Sequence, residues 1–345
     1  MHKLYHTNQN SSSPSRLHAP LVRVTRKHPC PVCGRGDWCS VSLDGERAIC
    51  MRVAGDRRTR NGGHLHFLND SLPTVRPQPA PVRIPQDPPR ADANHLDGVY
   101  CTLLRGHLVL SETHRAALLA RGLDAEAIEH GGYRSVPTPE QGAAHAQALA
   151  VHGLEGVPGF FREANRWRVA ARDAGFYVPV RDESLRVSGL QIRRDDASDG
   201  RGKYLWLSSA NRPGGTSSGA PVHYAKPHLL RDAREVLISE GALKADVIAH
   251  FLDCPVIAAA GVSNFGQDFA ANLREKFPLL RTAIIAFDSD WRTKPQVKDA
   301  LLRLQRECTR AGFAVVIRTW PAQHKGLDDY LCARTRASRD RGRAA

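Results

Sequence analysis

Three acidic elements near the C-terminal end are placed as a metal-dependent phosphoryl-transfer site would need them. Val236-Leu237-Ile238-Ser239-Glu240-Gly241 is a short apolar run that ends on a carboxylate and a glycine. Further on, Thr282-Ala283-Ile284-Ile285-Ala286-Phe287 runs into Asp288-Ser289-Asp290, and beyond that lies Lys325-Gly326-Leu327-Asp328-Asp329-Tyr330. Apolar runs of this length separated by helical patterns predict parallel strands, whose functional groups gather at their carboxyl ends. Glu240, Asp288 and Asp290 occupy such ends. Hard oxygen ligands converging there suit Mg²⁺ or Mn²⁺, which take carboxylates and waters and work on phosphates. Asp288-Ser289-Asp290 taken alone reads as a helix cap or solvated loop; its combination with Glu240-Gly241 is what points to a metal.

A second set lies near the N-terminus. Four of the eight cysteines cluster as Cys30-Pro31-Val32-Cys33, Cys39 and Cys50. Cys-x-x-Cys beside Pro and Gly has the form of a zinc knuckle. Between Cys39 and Cys50 lies Asp44-Gly45, the favoured type I′ hairpin pair. Pairing Leu43 with Glu46 then brings Cys39 opposite Cys50, with Cβ atoms about 4.5–5.5 Å apart. Knuckle and hairpin together present four sulfurs for one zinc ion. His66, in Gly63-His64-Leu65-His66, competes with Cys39 as the fourth ligand, and a Cys39–Cys50 disulfide is the other alternative. The polar N-terminus has no apolar signal-peptide core, so a reducing cytoplasm is expected and argues against the disulfide. Cys101, Cys254, Cys308 and Cys332 are expected as small buried hydrophobes.

The elements that position these residues follow from composition. Residues 1–24 are polar and expected to be a disordered tail, and 25–68 hold the zinc ribbon. Recurring prolines make 69–94 a semi-rigid linker. In 95–231, Ser111 and Asp124 cap helices. Phe176–Asp182 and Leu185–Arg194 are predicted antiparallel strands joined at Glu183-Ser184. The span 232–332 carries the acidic motifs, and 333–345, rich in arginine, is expected to be a disordered basic tail. The fold class is therefore α/β: a small ribbon, an α+β middle subdomain and a C-terminal parallel sheet. A net charge of +14 implies an anionic partner, for which nucleic acid is the usual choice. No apolar run approaches the ~20 residues of a membrane span.

The acidic motifs resemble the TOPRIM domain shared by topoisomerases and bacterial-type primases. There a glutamate follows the first strand, an Asp-x-Asp follows a later one, and another acidic cluster often lies beyond. The resemblance covers residues 232–332. It implies a Rossmann-like sheet with Glu240, Asp288 and Asp290 catalytic, and Asp328 and Asp329 as additional acidic ligands. Upstream, Val178-Pro179-Val180-Arg181-Asp182, Gly189-Leu190-Gln191-Ile192-Arg193 and Lys203-Tyr204-Leu205-Trp206-Leu207-Ser208 are similar to the "fPIrD", "G-x-x-x-R" and "KYLNS"-like segments of bacterial-type primases, in the same order. Ser184 stands where those proteins have a turn glycine, and Trp206-Leu207 lengthens the last motif. The order of ribbon, linker, basic subdomain and TOPRIM-like domain is that of primases, as in the compact primase-like proteins of phages and mobile elements.

What the resemblance implies is synthesis of short primers on single-stranded DNA from NTPs, with Mg²⁺ or Mn²⁺ at the acidic site and structural Zn²⁺ in the ribbon. Arg193, Lys203, Lys244 and Lys325 would then meet template or nucleotide phosphates, and Trp38 either stacks on a template base or fills the ribbon core. No G-x-x-x-x-G-K-[ST] occurs, so a replicative helicase is expected as a separate partner. The alternatives are a non-catalytic DNA-binding replication or mobilisation accessory, and a TOPRIM nuclease using the same metals.

Overall fold

The computed structural model describes residues 19–55, 57–59, 62–68, 88–171, 173–262, 264–266 and 268–344, with side chains through residue 337. They fall into two compact units, one within 1–82 and one within 83–345. Most of the expected proline linker lies outside the described residues.

The first unit is an antiparallel sheet of β1 (Leu21–Arg23), β2 (Ser40–Ser42), β3 (Arg47–Cys50), β4 (Arg57–Arg58) and β5 (His64–Phe67), in the order β1-β2-β3-β5-β4. The register Ser40↔Ile49 and Val41↔Ala48 is the one that sets Cys39 against Cys50. The turn differs from the expected type I′. Gly45 N–H donates to Ser42 O, and Gly45 is the residue of the turn with positive φ. The Asp44 carboxylate accepts from Glu46 N–H at 3.1 Å and from the Ser42 hydroxyl. A side chain that satisfies the turn from within thus replaces the second left-handed residue. Residues 21–23, expected in the tail, pair with β2 instead, which gives that strand's outer backbone groups partners.

The second unit begins with α1 (Ala93–Thr102), capped by Asp92 inside the stretch expected as linker. Then come α2 (Glu112–Ala120), α3 (Ala125–Gly131), β6 (Arg134–Ser135), α4 (Pro139–Leu149) and the hairpin of β7 (Phe160–Glu163) with β8 (Arg166–Val169). Next are β9 (Gly175–Arg181), β10 (Val187–Arg194) and β11 (Tyr204–Trp206). Ser111 and Asp124 cap α2 and α3 as expected. Strands β11-β10-β9-β6 form an antiparallel sheet.

The chain continues through β12 (His223–Ala225), β13 (Glu235–Glu240), α5 (Ala242–Leu252), β14 (Val256–Ala259), α6 (Phe269–Lys276), β15 (Thr282–Ile285), α7 (Pro295–Arg310), β16 (Ala314–Ile317) and α8 (Leu327–Ala344). The sheet order is β12-β14-β13-β15-β16; β12 is antiparallel and the other pairings are parallel. No described helix is long and apolar enough to cross a membrane.

Two domain expectations change. Leu118, Ile128, Phe176, Val178 and Val180 share one core with Ala242, Leu243 and Val247 of α5, so position 231/232 does not divide the packing. The expected C-terminal tail continues α8 to Ala344 instead, since alanine and arginine are good helix formers. Of the four remaining cysteines Cys308 is buried, while Cys101, Cys254 and Cys332 are half-buried.

The β9–β10 connection explains the missing turn glycine. Asp182 accepts from the Ser184 and Arg186 amides and from Arg186 Nε. The left-handed residue is Leu185, at φ 66°, with half of its surface exposed. A non-glycine residue there costs about 1–2 kcal/mol, against about 0.5–1 kcal/mol of extra unfolded-state entropy for glycine. Leu185→Gly is expected to stabilise the fold by about 0.5–1 kcal/mol, read as a higher urea midpoint at unchanged m-value; a lower midpoint would contradict this.

Candidate functional site

The zinc set comes together in the first unit. Among the described residues, one group of three or more His, Cys, Asp or Glu side chains has all its ligand atoms within 4.8 Å of one another: Cys30, Cys33, Cys39 and Cys50. Sγ–Sγ distances are 3.7 Å for Cys33–Cys39 and 4.0 Å for Cys39–Cys50, so the sulfurs are near but unbonded. Backbone N–H groups of Met51, Arg52 and Val53 donate to Cys39 and Cys50 sulfurs at 3.3–3.4 Å. Four thiolate-capable ligands with amide support fit tetrahedral zinc. Burial pushes the Cys39 thiol up to about 12, so deprotonation there needs a cation to offset it. His66 lies outside this cluster, its Nε2 3.1 Å from Val53 O, while Cys39 lies within it. Trp38 is no core residue: it is 64% exposed, at φ 62°.

The acidic set lies at the carboxyl edge of the parallel sheet. Register Glu235↔Thr282 through Ile238↔Ile285, continued by Ala286 N–H to Ile238 O, brings Phe287 level with Glu240 and Asp288 just past it. Gly241 then takes φ 80°, a conformation that favours glycine, and α5 begins. The turn lets Lys244, one helical turn on, reach back to Glu240 Oε1 at 3.5 Å and donate to Asp288 Oδ1. Lys325 Nζ is 3.4 Å from Asp288 Oδ2.

Asp290 lies in the following helical turn and pairs with Lys294 at 2.6 Å. It is within electrostatic reach of Glu240, but Glu240, Asp288 and Asp290 do not form a mutually close set among the described residues. Asp328, 2% exposed, pairs with Arg121 at 2.5 Å; its Oδ1 is buried without a hydrogen bond. A Cβ on Gly326 would run into that oxygen and stand 3.1 Å from Asp288 Oδ1, so glycine is needed and the two carboxylates border the same small volume. Asp329 is exposed, its Oδ2 accepting from Gly326 N–H at 3.3 Å.

Charge follows this geometry. Burial pushes Glu240 up to about 7, with Asp288 and Asp290 adding and Lys244 opposing. For Asp288 burial acts upward too, but Lys244, a hydrogen bond from Glu240 and Lys325 together hold it below the usual range. Burial also raises Asp328 despite Lys244 and Arg121. Desolvation lowers Lys203, as do the nearby charges of Arg193, Arg121 and Lys325. The Arg193 guanidinium lies 5.3 Å from the centre of the Phe176 ring, beside β11 through the pair Arg193↔Tyr204. Lys244 and Lys325 contact Asp288, and Lys203 lies within electrostatic reach of Asp329 and of Arg193. Sequence reasoning missed Lys294, which the Asp290 i,i+4 spacing signals, and Arg121, for which no local signal exists. A cavity of about 200 Å³ opens beside Arg121, Asp328, Asp329 and Arg336. Carboxylates with one buried orphan oxygen suit a hard divalent cation.

A family model described as "Domain of unknown function (DUF3854)" matches residues 229–338. No curated protein matches the sequence. Among solved structures, the fold is similar to the zinc-binding and RNA polymerase domains of the Aquifex aeolicus primase, with TM-score 0.54 and 19% identity over 72% of this chain and 59% of that one. This chain therefore spans less than two thirds of that structure. The fold is also similar to the DnaG primase catalytic domain bound to ssDNA, at TM-score 0.52, 17% identity and 73% and 79% coverage. The RNA polymerase domain of Mycobacterium tuberculosis primase DnaG compares at TM-score 0.54, 18% identity and 72% and 82% coverage.

Two outcomes are expected from the site. Elemental analysis should find one zinc per chain, lost in Cys39→Ser and kept in His66→Ala; the reverse pattern would contradict the sulfur set. Without divalent metal, Glu240 binds its proton more tightly folded than unfolded. Its contribution is thus present below the unfolded value of about 4.3 and is lost as pH rises through about 7. Thermal melts in Mg²⁺-free buffer should fall between pH 5 and 8 in the native chain and flatten in Glu240→Gln; equal slopes would refute the shift.

Proposed function

We propose that this chain is a primase-like nucleotidyltransferase that extends primers on single-stranded DNA from NTPs with Mg²⁺ or Mn²⁺. The observation that carries the reading is the placement of Glu240 and Asp288 side by side at the ends of adjacent parallel strands, bordered by Lys244 and Lys325. The likeness to primase domains supports it at the level of fold.

In this reading Glu240, Asp288 and Asp290 hold divalent metal, with Asp328 offering its unpartnered oxygen and Asp329 at the rim. Bound ions would supply Lewis acidity toward the primer 3′-OH and charge for the departing pyrophosphate. Lys325, Lys203 and Arg193 neutralise the phosphates of template and nucleotide, and the Phe176 face holds the Arg193 guanidinium. The exposed Trp38 ring in the ribbon suits stacking on an unpaired base. The basic balance of 49 Lys and Arg against 35 Asp and Glu supplies salt-sensitive affinity for DNA. A replicative helicase is the expected separate partner.

The test is primer synthesis on single-stranded DNA with labelled NTPs. Native protein should form short products with Mg²⁺ or Mn²⁺. Asp288→Asn should lose activity by about a hundredfold or more while still binding single-stranded DNA. Full synthesis by Asp288→Asn sinks the catalytic assignment. DNA binding with no synthesis by the native chain would favour the accessory reading, and metal-dependent strand cleavage without NTPs the nuclease.

A further inference from the structure

Lys244 reaches both strand-end carboxylates. Its side chain is 21% exposed on the first turn of α5, with Nζ 3.5 Å from Glu240 Oε1 and bonded to Asp288 Oδ1. Divalent ions of the Mg²⁺ class bind carboxylate oxygens at about 2.0–2.1 Å. An ion held by these oxygens would sit against the ammonium, and two cations so close repel strongly in a partly desolvated site. Lysine and metal therefore compete for the same pair. The pattern extends around the edge: Asp288 also meets Lys325 at 3.4 Å, Asp290 meets Lys294 at 2.6 Å and Asp328 meets Arg121 at 2.5 Å. Each of these four carboxylates lies against a cation of the chain's own.

We propose that Lys244 is a displaceable counter-ion: it neutralises Glu240 and Asp288 until a divalent metal takes them over, and its flexible stem then carries the ammonium to a phosphate of the substrate. This inference rests on the metal-dependent reading above and adds an exchange of cations to it. Lys244 suits the exchange because an ammonium on a four-carbon stem can reorient, whereas a guanidinium fixed in a fork cannot follow as readily. A salt bridge that only braced the carboxylates would act in the opposite sense, since its removal would loosen the site and weaken metal binding.

The experiment is calorimetric titration of Mn²⁺ alone into the full, zinc-loaded chain. Lys244→Met should bind Mn²⁺ about tenfold tighter than the native chain, and its melting temperature should rise further on adding Mn²⁺. Lys244→Arg should bind no tighter than native. Lys244→Gln carries the same comparison should the methionine variant not fold. Equal or weaker Mn²⁺ binding by a folded, uncharged variant overturns the exchange and leaves the metal site standing. A native chain that binds Mn²⁺ no better than Asp288→Asn does overturns the metal site, and the exchange with it.

Discussion

The parallel pairing of β13 with β15 is the constraint on which the acidic edge depends. It sets two carboxylates from distant parts of the chain at one level, and burial on both faces keeps them there. Val236 and Ile238 enter one core, with Leu273, Ile285 and Leu304, while Leu237 enters another, with Ile248, Ala258 and Leu327. A slip of one residue would exchange the two faces and turn Val236, Leu237 and Ile238 each toward the wrong core. The same burial removes water from the carboxylates, so their approach has an electrostatic cost that the sheet alone cannot offset.

Cations supplied by other elements offset it, and the middle region is a wall of the site for this reason. Ala242, Leu243 and Val247 pack into the core formed by α2, α3 and β9, which fixes α5 and with it Lys244. The same packing places Arg121, at the end of α2, against Asp328 at the start of α8. Tyr133 and His223 add two hydrogen bonds to Asp246 on α5, at 2.6 and 3.0 Å. Displacement of α5 against its surroundings would therefore disturb charge balance and core packing together.

The features legible in the sequence are those with a local signature. Apolar runs ending on Glu-Gly and on Asp-Ser-Asp announce strand ends, Ser111 and Asp124 announce helix starts, and the spacing of Cys39 and Cys50 announces a hairpin register. Features set by distant chain stay hidden. Arg121 has no pattern linking it to Asp328, and nothing near Trp38 says that the cysteine cluster closes without it. The hairpin turn departs from type I′ because Asp44 satisfies it through its side chain, a contact that the Asp-Gly pair alone does not reveal. Ser184 stands at the expected place of the turn glycine, but Asp182 gathers two amides and the left-handed position falls at Leu185.

The two candidate metal sites differ in a way that follows from their ligands. Burial raises the Cys30 and Cys39 thiols and keeps them neutral near pH 7. Against burial, hydrogen bonds from the Arg35 amide and the neighbouring thiols lower Cys33 to about 7, so four sulfurs lie within 4.8 Å of one another with little net charge. Carboxylates are charged at that pH, and gathering them by packing alone would force either protonation or a cation. Both occur here: Glu240 is shifted toward neutrality, and Asp288 is held ionised by Lys244 and Lys325. A cysteine site can thus be formed by the fold before the ion arrives, with the zinc closing it. An acidic site on a parallel sheet needs positive charge as part of its construction, and lysine is the cation that the chain can provide for itself and later release.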